Sequence, residues 1–419
     1  MPQISNMKIR IKAAWDKLPQ DMKNRLKGEI DQANHDLLDI RNGLTPTHKV
    51  HHELALVSSI LNDDPHGLIK SAAQSGPEGE LTRVGPDGVV YFGGVQYDGT
   101  DPKWAYVIIA MAETLDLLPT FPCAGQQIQI PDDATLVILG DWGADNPTVN
   151  PMALAPPDKS YYIHLGDVYY AGTNGGETLE PYEQENFLNI WPGAPDRSFA
   201  LNSNHDMYAH GTGYFGSTLA PGTVFGAQKG TSFFALYNKS FRIVGLDSAY
   251  YSPDVMYQVG SLGSPTGPQA VFLKNQALAA ASAGQTLILM THHNGISLDG
   301  GTLQPLWTEV SNQLSALSGA TVYWYWGHEH AGAVYTKQTM QLQTNSLSIQ
   351  PRVCGHGRVP WGLASDLQNT NVLWSESKIA TQPFVENGFA ILSLNGPSLT
   401  ETFYDQSGVA SWSSSQTLM

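Results

Sequence analysis

Cysteine and basic residues are scarce in this sequence, and each shortage excludes a class of protein. Only Cys123 and Cys354 occur among 419 residues, which excludes a disulfide framework and a cysteine-based zinc site. Lysine and arginine total 22 against 38 aspartates and glutamates, so the net charge is −16, and no basic run suited to a phosphate backbone is present. We therefore expect no long nucleic acid as a partner, and a phosphorylated ligand would need local cations.

Long apolar runs are also missing. No window approaches the length of a membrane span, so we expect no membrane partner. Residues 1–20 lack the apolar core of a secretory signal, and we expect a cytoplasmic protein. Hydrophobic residues make up 42% and aromatic residues 10% of the chain, which indicates a folded core rather than a disordered chain. The sequence gives no indication of the oligomeric state.

Residues 1–132 predict a mainly helical region. Apolar side chains recur at three- and four-residue steps from Trp15 to Ile40. Pro19 should start a second helix or kink the first, and Gly43 stands where a C-cap is expected. We find no catalytic constellation here and interpret the region as scaffold.

Three further stretches of this region have their own patterns. Residues 52–63 repeat the helical spacing, residues 85–100 are rich in glycine and favour a hairpin or a loop, and residues 104–118 predict a buried helix. None of them carries a motif that assigns a role to the region.

From residue 133 onward, short apolar runs alternate with helical stretches. The runs are ATLVILG (134–140), YYIHLG (161–166), SFALN (198–202), FRIVGLDS (241–248), TLILMT (286–291) and TVYWYWG (321–327). Residues 268–284 and 303–319 predict helices between the later runs. Because the runs are apolar at nearly every position, they predict strands covered on both faces, and hence a layered α/β domain over residues 133–407.

The C-terminal part predicts a closing hairpin. Asn395-Gly396 stands between two stretches of strand-forming residues, as expected of a tight turn. Residues 408–419 are rich in serine, and we expect them to form a flexible tail.

Polar side chains follow five of the predicted strands. They are Asp141, the group Asp167 to Tyr170, the group Asn204 to Asp206, the pair His292 and His293, and the pair His328 and His330. An isolated pair such as the last is usually a matter of strand packing. In open α/β sheets, however, functional groups gather outside the carboxyl ends of the strands, so five such ends together indicate one shared site.

The donors are too many for one tetrahedral zinc ion. Carboxylate, amide, imidazole and phenol groups together suit iron, manganese or zinc. Two ions about 3.5–4 Å apart are the usual clamp for phosphoryl transfer. His328 and His330 can each bind one ion while a single carboxylate bridges both, and we therefore expect two metal ions per chain.

Five short motifs occur in the order found in the calcineurin-like metallophosphoesterases, and their form most resembles the purple acid phosphatase branch. They are GDWG (140–143), GDVYY (166–170), SNHD (203–206), LMTH (289–292) and GHEH (327–330). The resemblance spans residues 134–332 and implies a layered αββα sandwich beside the N-terminal helical region. It also implies a phosphoric ester hydrolase with two ions, iron paired with iron, zinc or manganese.

The resemblance further implies a ligand set. The implied ligands are Asp141, Tyr170 and His330 for the first ion, Asn204, His292 and His328 for the second, and Asp167 as the bridge. Tyr170 matters because Gly143 occupies the position at which the wider superfamily has a histidine. A phenol has a pKa near 10, so a phenolate ligand favours a strongly acidic ion such as ferric iron. Core packing of Tyr169 and Tyr170 is the alternative interpretation.

The chain departs from the family pattern in two places. Ser203 stands where the family usually has a glycine before Asn204, which concerns the geometry of the loop and not the ligand set. Residues 1–132 replace the N-terminal fibronectin-like domain of the large plant enzymes, so the domain layout and the dimer of those enzymes are not implied here.

His205 and Asp206 are the candidate catalytic residues. A metal-bound hydroxide would attack phosphorus, and His205 would protonate the leaving group or stabilise the transition state, oriented by Asp206. The candidates for contact with the substrate are His293, His210, His356 and Arg358. For Arg358, a surface or structural role is an equal alternative to phosphate binding.

The motifs bind only the phosphoryl group, so they leave the rest of the ester open. We predict a phosphomonoesterase similar to the acid phosphatases that acts on a small phosphorylated substrate. A phosphodiesterase, with cyclic nucleotides as one substrate class, is the first alternative. A catalytically silent metal-binding protein on the same fold is the second; lost ligands would favour it, and none of the implied ligands is lost.

Overall fold

A computed structural model describes most of the chain and divides it into two compact units. The described residues are 4–41, 52–61, 82–84, 90–92, 96–97, 101–145 and 149–417. The first unit comprises Met1–Leu118, Gly176–Leu179 and Tyr208–His210, and the second comprises Pro119–Gly175, Glu180–Met207 and Gly211–Met419. The predicted domain boundary at residue 132 lies inside the second unit.

The first unit is mainly helical where the structure describes it. Its helices are α1 (Ile4–Lys17), α2 (Gln20–Arg41), α3 (His52–Leu61) and α4 (Tyr106–Glu113), the last preceded by a 3-10 turn at Pro102–Ala105. Strands β1 (Thr82–Val84) and β2 (Val90–Phe92) form an antiparallel pair. Most of the stretch 85–100, predicted to be a hairpin or a loop, lies outside the described residues.

Pro19 separates α1 from α2, because proline lacks the N–H that continues a helix. Ile11, Leu26 and Ala33 are fully buried, in agreement with the predicted apolar face. The predicted C-cap at Gly43 lies outside the described residues. Within the described ranges, no helix has the length and apolar character needed to cross a membrane.

The second unit contains most of the strands. They are β3 (Gln126–Gln129), β4 (Thr135–Leu139), β5 (Ser160–His164), β6 (Ser198–Ala200), β7 (Phe234–Tyr237), β8 (Phe241–Gly245), β9 (Thr286–Thr291), β10 (Thr321–Trp326), β11 (Gly332–Tyr335), β12 (Gln338–Gln341), β13 (Ser346–Cys354), β14 (Val372–Ser375), β15 (Gly388–Asn395), β16 (Ser398–Asp405) and β17 (Ala410–Thr417). Its α-helices are α5 (Asn204–Met207), α6 (Pro268–Ala283) and α7 (Pro305–Ser311). Short turns of other helical types lie at Pro151–Ala153, Gln184–Leu188, Tyr214–Thr218, Gly226–Gln228 and Ser315–Leu317.

These strands form two mixed sheets. The nine-stranded sheet has the order β14-β11-β13-β10-β9-β8-β7-β3, with β12 paired to β13, and the six-stranded sheet has the order β17-β16-β15-β4-β5-β6. Strands β4, β5 and β6 are parallel neighbours in one sheet, and β8, β9, β10 and β13 are parallel neighbours in the other. Each set of parallel strands therefore ends at one edge of its sheet, which is where ligands bind in open α/β sheets.

The two sheets face each other across a shared apolar core. Ile138 of the six-stranded sheet lies in one buried cluster with Ile243 and Ile288 of the nine-stranded sheet. Helices α6 and α7 cover the outer face of the nine-stranded sheet, for example through Leu273 and Trp307. The short turns at Gln184–Leu188 and Tyr214–Thr218 contribute to the layer outside the six-stranded sheet. The predicted layered αββα sandwich is confirmed.

The C-terminal strands correct one prediction. The hairpin predicted at Asn395-Gly396 is present and joins β15 to β16. The flexible tail predicted at residues 408–419 is wrong for most of its length, because β17 pairs with β16 at the edge of the sheet. Hydroxyls of Thr400 and Ser415 lie 2.8 Å apart on its exposed side, while Trp412 packs against the inter-sheet core. A polar edge strand and a flexible tail share the same composition, so composition alone did not separate them.

A buried ion pair joins the two sheets beside β17. Arg352 of β13 donates to both carboxylate oxygens of Glu401 of β16 over 2.8 and 3.0 Å. The hydroxyl of Tyr325 donates to the same carboxylate. The Arg352 guanidinium also lies 5.6 Å from the ring of Trp412, so the last strand covers the pair.

Candidate metal centre

Five strand ends of the second unit bring the implied ligands together. Asp141 follows β4, Asp167 follows β5, Asn204 begins α5 after β6, His292 follows β9, and His328 and His330 follow β10. Two buried groups of metal-ligating atoms result, each within 4.8 Å: Asp141 with Asp167 and His330, and His292 with His293 and His328. The arrangement expected from the strand ends is therefore realised in the fold.

Two of the candidate ligands have one ring nitrogen oriented by a backbone carbonyl. His292 Nδ1 lies 2.8 Å from Leu165 O, and His330 Nδ1 lies 2.8 Å from Val359 O. A carbonyl oxygen only accepts, so both Nδ1 atoms carry a hydrogen, and in the neutral form of each ring Nε2 has a lone pair. Histidines that bind metals are commonly oriented by such a bond from their other nitrogen.

These lone pairs face other acceptors. His292 Nε2 lies 2.7 Å from Asn204 Oδ1 and 3.3 Å from Asp167 Oδ1. His330 Nε2 lies 3.6 Å from Asp141 Oδ1 and 3.8 Å from Asp167 Oδ2. Acceptors repel unless a cation stands between them, and two ligands of one ion with ~2.1 Å bonds lie roughly 3–3.5 Å apart. The spacing therefore fits one ion at each carboxylate oxygen of Asp167.

The carboxylate of Asp167 has a second property that suits a metal ligand. Its Oδ1 is buried and makes no hydrogen bond, which a carboxylate rarely tolerates inside a protein. Burial alone would raise the pKa of Asp167, but the charges of His205, His292 and His330 hold that pKa below its usual range. Asp167 is therefore an anion surrounded by nitrogen donors, as a bridging ligand should be.

Backbone strain is concentrated at the candidate ligands. The φ angle is 55° at Asp141, 77° at Asp167, 67° at His328 and 47° at His330. Such left-handed conformations cost non-glycine residues about 1–3 kcal/mol each and cluster at active sites. The strained turns are mutually bonded, because His328 N donates to both oxygens of Asp141 over 3.1 and 2.9 Å.

A tyrosine hydroxyl reaches the bridging carboxylate, and it belongs to Tyr169. Its Oη donates to Asp167 Oδ2 over 3.2 Å, and its ring centroid lies 6.0 Å from that of His330. The ring of Tyr170, which the motif selects, packs edge-on against Tyr182 at 5.5 Å. The structure thus brings the Tyr169 phenol to the first group, and the assignment of Tyr170 as a ligand stays a prediction.

Gly143 lies in a close contact between two backbone turns. A Cβ at this position would lie 2.4 Å from Asp167 O and 2.8 Å from Val168 Cα. Gly143 N donates to that same Asp167 carbonyl over 3.0 Å, so the two turns touch through their backbones. A histidine at residue 143 therefore cannot fit without a shift of the backbone.

His205 lies beside the bridging carboxylate and is oriented by the backbone. Its Nδ1 lies 2.8 Å from Tyr170 O, and its ring makes a T-shaped contact with Tyr169 at 4.7 Å. The carbonyl fixes the hydrogen on Nδ1 and leaves Nε2 for a reaction partner. The group at Nδ1 is therefore a carbonyl and not the predicted Asp206.

Asp206 has a different role, in a capping box with Ser203. Asp206 N donates to Ser203 Oγ over 3.2 Å, and Ser203 N donates to Asp206 Oδ2 over 3.0 Å. This reciprocal pair satisfies two free N–H groups at the start of α5. Ser203, where the family usually has glycine, thereby holds the turn that presents Asn204 and His205.

A second buried acid accompanies Asp206. Burial raises the pKa of Asp206 well above its usual range, and the nearby charge of Glu183 raises it further. Burial also raises the pKa of Glu183 to about 7, although a hydrogen bond from the Thr218 hydroxyl lowers it in part. Both carboxyls therefore favour the protonated form, which also argues against Asp206 as a charged partner of His205.

His293 was predicted to face the substrate, but both of its ring nitrogens are engaged. Nε2 lies 2.7 Å from Tyr257 O and Nδ1 lies 2.8 Å from Ser248 Oγ. Nε2–H therefore donates to the carbonyl, and Nδ1 accepts from the serine. Although His293 lies within ligand distance of His292 and His328, these hydrogen bonds make it a support for them rather than a ligand. Burial lowers its pKa to about 3.

The strand end after β8 supports the site and is missing from the five motifs. Ser248 holds His293 as described, and Asp247 accepts from Asn202 Nδ2 over 3.2 Å. Asn202 in turn precedes the Ser203 capping box. The run FRIVGLDS ends in the same kind of polar pair as the other runs, and that ending was the available signal for these two residues.

The remaining predicted substrate contacts have three different surroundings. His210 belongs to the first compact unit, where its Nδ1 lies 2.8 Å from Thr114 Oγ1. His356 is fully buried and its ring stacks on that of Phe403. Burial lowers the pKa of His356 to about 3. His356 therefore belongs to the core and does not face a substrate. Arg358 is partly exposed and stays a candidate.

Comparisons with known proteins give remote structural similarity only. No protein-family model matches the chain, and no curated protein matches it. A conserved uncharacterised protein from Streptococcus pneumoniae TIGR4, described as a predicted phosphoesterase, shares 10% identity at a TM-score of 0.28, covering 68% of this chain and 98% of its own. Vps29 from Chaetomium thermophilum shares 10% identity at a TM-score of 0.25, covering 68% and 100%.

Vacuolar Protein Sorting 29 from Cryptosporidium parvum is a third such structure. It shares 14% identity at a TM-score of 0.29, covering 68% of this chain and 98% of its own. TM-scores this low decide neither the family nor the activity of the chain, so the function has to be argued from the site.

Proposed function

We propose that this chain is a dinuclear metal-dependent hydrolase of phosphate esters, a calcineurin-like metallophosphoesterase most similar to the purple acid phosphatase branch. The observation that carries the proposal is that two buried groups of ligand atoms converge on the two oxygens of Asp167, one at Oδ1 and the other at Oδ2. A single proton could join only two of these atoms in a hydrogen bond. The ligand atoms instead form two groups, and each group matches the set of ligands around one ion.

The proposed ligands follow from the contacts. Asp141, His330 and the Tyr169 hydroxyl would hold the first ion, Asn204, His292 and His328 would hold the second, and Asp167 would bridge them. A donor set of carboxylates, an amide, imidazoles and a phenol suits iron in the first position, with iron, zinc or manganese in the second.

Two ions, when bound, would activate water for attack on phosphorus and neutralise charge on the phosphoryl oxygens. The chain itself supplies the proton for the leaving group. With the Nδ1 hydrogen of His205 held by the Tyr170 carbonyl, Nε2 is the atom from which a proton would pass to the departing oxygen. Tyr169 packs against this ring and limits its rotation.

We propose a phosphomonoesterase acting on a small substrate, because the motif form is most similar to the acid phosphatases. The preference for monoesters over diesters rests on that resemblance. A lost ligand would favour the silent metal-binding alternative, and each implied ligand position carries a suitable donor.

The test combines elemental analysis with an ester panel. Protein purified without added metal should contain close to two transition-metal equivalents per chain and should hydrolyse aryl phosphate monoesters faster than diesters. His205→Ala should keep both ions and lose turnover by roughly 10²–10⁴-fold, less for leaving groups that need no proton. His35→Ala, at an exposed histidine of the first unit, is the control. A single tightly bound ion would overturn the two-ion proposal, and two ions with no hydrolysis of any ester would support the silent alternative.

A further inference from the structure

The loop between β13 and β14 is attached to the first group of candidate ligands. Gly357 N donates to Gly140 O over 2.9 Å, one residue before Asp141. Val359 O accepts from His330 Nδ1 over 2.8 Å, and Gly362 N donates to His330 O over 3.1 Å. Residues 357–362 are therefore bonded to the turns after β4 and after β10, and their positions relative to the site are fixed.

Trp361 is the aromatic residue of this loop, and it lies against a candidate ligand. Its ring centroid is 5.4 Å from that of His330, with an interplanar angle of 28°. Gly362 permits this approach, because a Cβ there would lie 2.6 Å from His330 O and 2.7 Å from Ala331 Cβ. The stack is thus a consequence of how closely the loop backbone follows the turn after β10.

Trp361 and His330 differ in exposure. His330 is only 1% exposed, whereas Trp361 keeps part of its surface accessible. The other aromatic neighbour of His330, Tyr169, is fully buried. Of the two aromatic rings that contact His330, Trp361 is therefore the one that a molecule arriving from solvent can contact.

A phosphate ester brings two chemically different parts to such a site. Its phosphoryl group is polar and matches the metal ligands, while the rest of the ester needs a surface of its own. Ligand sites commonly combine a few polar groups with an aromatic wall. Flat aromatic rings stack on indole rings with a gain beyond that of area burial alone.

Resting on the proposed function, we propose that Trp361 is a specificity-determining residue on which the leaving group of the ester stacks. The substrate class this assigns is phosphate esters with an aromatic or heterocyclic leaving group. The rival explanation is that Trp361 only shields His330 from water, in which case its removal would alter metal binding and not ligand choice.

The test measures binding, so that it does not depend on turnover. Calorimetric titration of the metal-loaded protein with phenylphosphonate and methylphosphonate should show about a tenfold preference for the phenyl compound, the size expected of one aromatic stacking contact. Trp361→Ala should remove the preference by weakening phenylphosphonate alone, with metal content unchanged. Trp361→Phe should retain most of it, and Tyr251→Ala, at another partly exposed aromatic residue, should retain all of it.

Equal affinities of the wild-type protein for both phosphonates would overturn the inference. So would a Trp361→Ala variant that weakens both ligands equally or that loses metal. The proposed function is judged separately: a wild-type protein that prefers phenylphosphonate but hydrolyses no ester would contradict the hydrolase while leaving the stacking role of Trp361 in place.

Discussion

Tyr169 and Tyr170 are adjacent in the chain, and each is a candidate phenol ligand of the proposed first ion. Tyr169 donates to Asp167, while the ring of Tyr170 packs against Tyr182 and its carbonyl orients His205. Tyr169→Phe removes one oxygen and keeps the ring. We expect it to abolish any visible phenolate-to-iron absorption and to lower the affinity for the first ion by at least about tenfold. Loss of a residue that only hydrogen-bonds a metal ligand already lowers metal affinity by that much.

Tyr170→Phe is the matched control for that substitution. It leaves the backbone carbonyl that holds His205 in place, so absorption and metal content should stay close to those of the wild type. Spectroscopy and elemental analysis of both variants decide the assignment. If the absorption band were lost in Tyr170→Phe and kept in Tyr169→Phe, Tyr170 would be the phenolate ligand, as the motif predicts.

The same residues show what sequence spacing can and cannot provide. His292 follows β9 directly, and strand alternation sets the direction of its side chain, so spacing separated it from His293. Tyr169 and Tyr170 lie in a turn, where no periodicity sets the direction of a side chain. Ser248 and Asp247 were missed because they support other residues, and a supporting residue carries no ligand chemistry of its own.

At the scale of elements, the short helix α5 and the turn Gln184–Leu188 bring two acids into the interior. Burial raises the pKa of Glu183 from 4.5 to about 7. Because the folded-state pKa lies above the unfolded value, its contribution to stability is fully present below about pH 4.5 and is lost as the pH rises through about 7. Above that range the wild-type protein carries the cost of a buried charge.

Glu183→Gln should therefore raise the free energy of unfolding at pH 8 by on the order of 2 kcal/mol and change it little at pH 4.5. The glutamine keeps an oxygen that can accept from the Thr218 hydroxyl. Denaturant unfolding at both pH values measures the difference, with Glu185→Gln at an exposed neighbour as the control. A gain of equal size at both pH values would show that ionisation of Glu183 is not its cause.

At the scale of the whole molecule, the inner strands were predictable and the outer ones less so. β4, β5, β9 and β10 are apolar at nearly every position, because both of their faces are covered. β17 has one face toward solvent and is rich in serine, with three serines in a row, so its strand character depends on β16. The local composition of a segment does not show whether it pairs with another strand, and for this reason β17 was not predicted.

Removal of residues 406–419 tests the contribution of β17. Trp412 would leave the guanidinium of Arg352, and the bond from the Tyr323 hydroxyl to Gln416 Oε1 would be lost. The Arg352–Glu401 pair would then meet water on one side, and we expect the melting temperature to fall by roughly 5–10 °C. A chain that ends at Thr417 keeps β17 and is the control; an unchanged melting temperature in the longer deletion would contradict the expectation.

The position of β17 also bears on aggregation. A sheet edge presents unpaired backbone groups to any other chain, and natural proteins protect such edges with short or polar strands. β17 places a row of hydroxyl-bearing side chains on its exposed side, while β16 beneath it carries Leu399 and Phe403 toward the core. Without β17, β16 would become the edge strand of the sheet, next to the apolar side chains of Leu399 and Phe403. We expect copies of the shortened chain to pair through this exposed edge and to aggregate.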